Sequence, residues 1–222
     1  MEKSLELIEA PMKVLDDMSI CEERAKLRVK NTTRSLLTPS EKEGKKWWYR
    51  ERERYLRFLK STFKEEDRFI THKDSIEHHL VLSYVGEKYV IEMHGSADIV
   101  LFTSLKCKPS KKEFYMPLLF LFEFTLFRNA VTTVKTRLEA YATALYGIYG
   151  YPTIPILIIV ERENAYKGEL YVLRKDSIFS NTLIGKLRRL EKLIKGEIRP
   201  KHAPKDVCTS CDINLRRMCP YF

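Results

Sequence analysis

Apolar residues recur along this chain with two different periods. In EKEGKKWWYRERERYLRFLKSTFKEEDRF, from Glu41 to Phe69, residues Trp48, Tyr55, Phe58, Leu59 and Phe63 stand three, four or seven apart. That is the repeat of one helix face, so the spacing predicts one long helix. Thr38-Pro39-Ser40, with Glu41 and Glu43 behind it, supplies the start signal. The period then shortens. IEHHLVLSYVGEKYVIEMHGSADIVLF predicts three strands with turns near Gly86 and Gly95.

A basic loop, KCKPSKKEF, leads into PLLFLFEFTLF, an unbroken apolar run of the kind found in a strand covered on both faces. TTVKTRLEAYATALYGIYG predicts a helix ending near Gly147 and Gly150, and YPTIPILIIV a second buried strand. GELYVLRK reads as a strand. SNTLIGKLRRLEKLIKGE reads as a basic amphipathic helix with Leu183, Leu187, Leu190 and Ile194 on its apolar stripe. Residues 1–40 read as short helices around Cys21. The order of elements predicts an α/β protein, a mixed sheet flanked by helices. It divides into an N-terminal helical region (1–70), a core (71–200) and a cysteine-bearing tail (201–222).

Composition narrows the function. At 44% hydrophobic and 32% charged residues the 222-residue chain can bury a core, and its formal net charge of +10 favours a polyanionic partner, nucleic acid before an acidic membrane surface. The sequence contains no glutamine beside its many Lys, Arg and Glu residues, a bias that fits a thermophile. Its longest apolar runs, Tyr115–Phe122 and Ile154–Val160, fall short of the roughly 20 residues of a spanning helix. MEKSLELIEA lacks a signal-peptide core. The expectation is a cytoplasmic protein, where clustered cysteines bind metal more often than they pair.

Three of the five cysteines, Cys208, Cys211 and Cys219, lie in the closing stretch CTSCDINLRRMCPYF, one ligand short of a four-thiolate site. Glu123 is the second anomaly, a carboxylate inside LLFLFEFTLF. Burial there demands protonation or a partner. Asp98, in HGSADIVLF, opens an apolar strand. If the two strands are neighbours, both carboxylates can reach one hard divalent cation, Mg²⁺ or Mn²⁺, suited to activating water against a phosphodiester. The alternative is that Glu123 pairs with an internal Arg or Lys and Asp98 caps a turn.

Taken in order, these parts resemble the RecB-like branch of the PD-(D/E)xK nucleases. More narrowly, they resemble the iron–sulfur-containing exonucleases of CRISPR adaptation. Gly95-Ser96-Ala97-Asp98 matches G-x-x-D, Glu123-Phe124-Thr125 stands where E-x-K is expected, and Arg137-Leu138-Glu139-Ala140-Tyr141 stands where Q-x-x-x-Y is expected. The resemblance implies a restriction-endonuclease-like fold and makes residues 71–200 the nuclease core. It implies a metal on Asp98 and Glu123, with Arg137 and Tyr141 beside it. It also implies that Cys21 is the fourth ligand, completing a [4Fe–4S] cluster with Cys208, Cys211 and Cys219. Zinc is the rival ion for four thiolates. Cys107, in the basic loop, reads as a free thiol. The implied activity is trimming of DNA ends, probed best as single strands, for CRISPR spacer acquisition alongside the integrase proteins. A catalytically degenerate DNA-binding or scaffold subunit is the alternative.

Three positions depart from that pattern. Thr125 replaces the lysine of E-x-K, and Arg128 belongs to the other face of the strand. Arg137 replaces the helix glutamine, so a cation can approach from the helix instead. No His occupies the long helix, leaving His72, His78, His79 and His94 in nearby strands or loops. Basic residues cluster at Lys45, Lys46, Arg50, Arg52 and Arg54, at Lys106, Lys108, Lys111 and Lys112, and at Lys186, Arg188, Arg189 and Lys192. Trp47, Trp48 and Tyr49 lie in the first cluster, a combination suited to phosphates and unpaired bases. Equally, the charges of YRERERYLR suit a solvated helix face with internal ion pairs.

Overall fold

The computed structural model describes residues 5–30, 39–62, 68–71, 79–107, 114–125, 130–160, 168–172, 180–209, 211 and 213–221. Eight strands and seven helices occur among them. The strands are β1 (Glu6–Pro11), β2 (Arg68–Thr71), β3 (His79–Val85), β4 (Tyr89–Ser96), β5 (Ile99–Cys107), β6 (Phe114–Thr125), β7 (Thr153–Val160) and β8 (Gly168–Val172). The helices are α1 (Val14–Ile20), α2 (Glu22–Lys30), α3 (Pro39–Thr62), α4 (Ala130–Tyr149), α5 (Asn181–Lys195), α6 (Lys205–Thr209) and α7 (Ile213–Met218).

The chain is α/β with mixed sheets flanked by helices, but it builds two sheets rather than one. One has three strands in the order β1-β4-β3, the other five in the order β2-β5-β6-β7-β8. The expected three-strand meander is therefore split. Gly95 is still within β4, and the chain changes sheet at Ala97-Asp98. The flank of β4 that β5 would have taken is filled by β1, which runs parallel to it from Glu6↔Tyr89 to Pro11↔His94. The N-terminal region is not wholly helical, since it contributes β1 to one sheet and β2 to the other. Only β6 and β7 pair in parallel in the larger sheet, and α4 is their crossover.

Strand alternation divides the core in two. Val100, Leu119, Leu121 and Leu157 of the five-stranded sheet pack with α4, α5, α1 and the inner face of the small sheet. Ile99, Leu101, Phe122, Ile156 and Val160 face the other way, onto Tyr55 and Leu59 of α3. Burying a leucine or isoleucine of this kind contributes about 2 kcal/mol. The α3 stripe differs from the sequence reading. Tyr55 and Leu59 are buried, but Phe58 is 51% exposed. Trp47 takes a place in the cluster, its ring 5.8 Å from Tyr55. The side chain of Trp48, and Phe63, lie outside the described residues. Helix α5 behaves as its pattern predicts. Ser180 caps it by accepting from Leu183 N (3.0 Å), and Gly196 ends it with φ +76°.

Candidate functional site: buried charges and a cysteine cavity

The register of β5 against β6 pairs Ile99 with Phe122. The next step outward sets Asp98 opposite Glu123, on the α4 side of the sheet. Glu123 is buried and Asp98 sits at the rim, partly exposed. Asp98 Oδ2 accepts from Phe124 N–H at 2.9 Å, which fixes its carboxylate to the neighbouring strand.

Helix α4 supplies the cation. Arg137 Nη1 donates to Glu123 Oε1 at 2.6 Å and approaches the Tyr141 hydroxyl at 3.4 Å, while Nε reaches Asp16 Oδ2 at 3.1 Å. Asp16, on α1, also binds Lys13 Nζ at 2.7 Å. Arg137 and Tyr141 are one turn apart on α4, so both project into the same space. Tyr141 packs directly against the backbone of β4. A Cβ added at Gly95 would stand 2.6 Å from the Tyr141 ring and 3.1 Å from its hydroxyl. Glycine at that position is thus a matter of close approach.

Charge is unevenly satisfied. Burial raises the Asp98 carboxyl well above its ordinary value, and the Glu123 charge adds to this against the Phe124 N–H and Arg137. Burial likewise raises Glu123; Arg137 pulls it down, but burial, with help from the Asp16 charge, leaves it raised. Burial pushes the Tyr141 hydroxyl upward too, so it stays protonated. Burial disfavours the Arg137 cation, but Asp16 and Glu123 more than offset it and the guanidinium keeps its proton. Three carboxylates and two cations leave the fully ionised cluster one charge negative. Glu123 Oε2 is buried and accepts no hydrogen bond among the described residues. Asp98 and Glu123 supply oxygen donors of the kind a hard divalent cation takes, though no three such acids among the described residues already stand at metal-holding distances.

Asp16 is a member that sequence reasoning missed. Its signal was present in Val14–Met18, where two acids interrupt an otherwise apolar stretch, and both are buried, Asp16 at 1% and Asp17 at 0% exposure.

Cys21, Cys208, Cys211 and Cys219 line one cavity of about 390 Å³, mouth included, with Arg24, Leu27, Ala203, Val207, Leu215 and Arg216. None of the four is joined in a disulfide. The chain brings its two ends together with Glu22. That carboxylate takes Arg189 through both Nε and Nη2 and accepts from Lys201 N–H at 2.8 Å, while Glu22 N–H donates to Lys201 O at 2.9 Å. Four thiols around one cavity are the donor set of an iron–sulfur cluster or a zinc ion. The described residues contain no preassembled group of three or more His, Cys, Asp or Glu at metal-holding distances. Cys107 closes β5 opposite Phe114 rather than lying in the loop.

The remaining sequence candidates separate. His79 and His94 contact each other, while His72, His78 and Arg128 lie outside the described residues. Thr125 ends β6. Of the third basic cluster, Lys186 is engaged with Ser19 Oγ and Thr136 Oγ1, and Arg189 with Glu22, whereas Arg188 and Lys192 face solvent. In α3, Arg50 is 3.1 Å and Arg54 3.7 Å from Glu51, so part of that charge is paired within the helix. Lys108, Lys111 and Lys112 lie outside the described residues. No helix among those described is long and apolar enough to cross a membrane.

No protein-family model matches the chain, and no curated protein matches it. Among solved structures, the crystal structure of SSO0001 aligns over 99% of this chain and 88% of that one, with 13% identity and a TM-score of 0.48. At that level of similarity the chemistry of the site has to be read from this chain's own residues.

Proposed function

We propose that this chain is a RecB-like, restriction-endonuclease-fold DNA exonuclease that trims DNA ends in CRISPR spacer acquisition, working in the cytoplasm with the integrase proteins of that system. Asp98 and Glu123 would hold Mg²⁺ or Mn²⁺. Cys21, Cys208, Cys211 and Cys219 would hold a [4Fe–4S] cluster, with zinc as the rival. The observation that carries the reading is Glu123 Oε2, a buried carboxylate oxygen that accepts no hydrogen bond among the described residues, on a residue whose register places it opposite a second carboxylate that burial also pushes toward protonation. A cation relieves both.

When bound, the ion supplies positive charge at the phosphate and acidifies a water molecule. The chain's own residues do the rest. Asp98 and Glu123 are positioned by adjacent strands, so their separation is set by the sheet. Arg137 brings a fixed cation from α4, in the place left by a lysine that is Thr125 here. A preorganised charge of that kind stabilises the transition state more than the ground state. Tyr141, protonated, steadies the guanidinium. Arg188 and Lys192 on α5 offer charge to the phosphate backbone.

One observation favours a second reading. At 2.6 Å, Arg137 already neutralises Glu123, as a structural ion pair would. In that case the chain binds DNA ends or a partner as a scaffold and does not cut. The test is cleavage of end-labelled single-stranded DNA with Mn²⁺ by protein purified without oxygen, beside Asp98→Ala. Cleavage that disappears in the variant supports the nuclease. DNA binding without cleavage by the wild type supports the scaffold and overturns the first reading.

A further inference from the structure

Two histidines that take no part in the carboxylate site meet on the outer face of the three-stranded sheet. His79 Nε2 and His94 Nδ1 are 3.1 Å apart, and the rings are near-parallel, 27° between planes with centroids 5.2 Å apart. Register explains the meeting. His94 is directly opposite Val81, and His79 is two residues from Val81 on the same strand, so the imidazoles are diagonal neighbours on one face. Both are accessible, His79 exposed and the His94 side chain 30% exposed. The same face carries acid. Glu92, two residues before His94, brings Oε2 to 4.0 Å from the other His94 nitrogen, Nε2, and Glu9 is the register partner of Glu92 on β1. His94 Nε2 has no hydrogen-bond partner among the described residues.

We propose that His79 and His94 form a transition-metal site, distinct from the oxygen-ligand site at Asp98 and Glu123. The separation of the two nitrogens is that of cis ligands on one ion. With metal–nitrogen bonds of about 2.0–2.1 Å, a 3.1 Å gap corresponds to an angle of about 100° at the metal. Glu92 Oε2 stands 4.0 Å from His94 Nε2. A metal on Nδ1 requires the imidazole proton on Nε2, where a small movement of the Glu92 side chain would let the carboxylate accept a hydrogen bond from it, the arrangement that orients metal-bound imidazoles. Two neutral imidazoles select borderline cations such as Zn²⁺, Co²⁺ or Ni²⁺ over Mg²⁺. The remaining positions on such an ion stay open to water or to a donor from a bound molecule.

Co²⁺ titration of the whole protein tests this, because thiolate ligation gives an intense near-ultraviolet charge-transfer band that imidazole ligation lacks. The expected result is a saturable class of Co²⁺ with visible absorption but no sulfur band, unaffected by excess Mg²⁺. It should vanish in His94→Ala and in His79→Gln, and weaken about tenfold in Glu92→Gln. His79→Gln, at an exposed position, tests the site without disturbing the sheet. Absence of this class in the wild type, or its persistence in either histidine variant, overturns the assignment and leaves the pair as a hydrogen bond between two imidazoles.

Discussion

Asp16 and Asp17 are consecutive on α1 and engage opposite parts of the molecule. Asp16 binds Arg137 at 3.1 Å, in the carboxylate site, while Asp17 binds Arg24 at 2.6 Å and also Arg28. Arg24 lines the cysteine cavity, and Cys21 N–H caps the same helix on Asp17 O at 2.7 Å. One short helix thus ties together the two places where chemistry is concentrated. Any shift of α1 is felt at both.

Arg137 is the hub of the first place. Arg137→Gln removes the cation from Asp16 and Glu123 and leaves buried carboxylates uncompensated. The expected loss is about 3 kcal/mol, read as a lower denaturant midpoint with unchanged slope. Under the nuclease reading the cleavage rate falls about 10²-fold or more. Unchanged cleavage in a folded Arg137→Gln protein would show that this residue has not replaced the missing lysine.

Asp98 gives the opposite sign. Its folded-state pKa is raised, so the native protein binds a proton more readily than the unfolded chain. Its ionised form therefore opposes folding, most strongly above the raised folded value, and the penalty disappears as pH falls below the ordinary aspartate value. Asp98→Asn keeps an acceptor for Phe124 N–H and removes the charge. In metal-free protein near neutral pH it should raise Tm by about 2–4 °C, on the order of 1 kcal/mol for a chain of this size. Mn²⁺ should stabilise the wild type and not the variant. A lower Tm for Asp98→Asn would refute the charge argument.

Gly95→Ala tests the contact between β4 and Tyr141. The new methyl meets the Tyr141 ring and, at 3.2 Å, Met12 Cβ. Relief requires Tyr141 to leave Arg137 or β4 to part from α4. The expected cost is about 1–3 kcal/mol, measured by chemical denaturation. A neutral result would mean that Tyr141 rotates away freely.

Acid should loosen the joined ends before the core. Burial raises the Glu22 carboxyl, but Arg189 and the Lys201 N–H outweigh it and the net pKa is lowered from 4.5. Glu191 is lowered in the same way, burial being overcome by the Lys88 N–H and Lys195. A depressed carboxyl stabilises the fold above its unfolded value and loses that contribution as pH falls through the lower folded value. Between pH 4.5 and more acidic values, hydrogen exchange should rise first around Lys201 and in the Gly86–Lys88 turn. Glu22→Gln should show the Lys201 change already at neutral pH.

Much of this fold was legible because its signals were local. The uninterrupted run around Leu119–Phe122 could only be a strand covered twice, and the apolar stripe of SNTLIGKLRRLEKLIKGE placed α5. Glu123 announced itself as a charge out of place. What stayed hidden depended on partners far away in sequence. ELIEAP leaves Leu7 55% exposed and has only one buried residue, Ala10, so no alternation marks it as a strand. It becomes one because β4 has an open flank. β2 was absorbed into the predicted α3 because the helical period runs past Thr62. The split into two sheets was invisible for a related reason, as β4 and β5 are equally apolar and nothing in their sequence states which edge each will fill.

The Glu22 bridge has a consequence for biosynthesis. Its partners Arg189 and Lys201 are made late, Lys201 179 residues after it. During translation β1, α1, β4 and α4 can assemble while α2 still lacks its anchor. The cysteine cavity closes only after Cys208, Cys211 and Cys219 have been made, long after Cys21. Under the proposed reading, ion loading has to wait for these three cysteines, and a chain cut before Cys208 is left with an open seam beside Cys21.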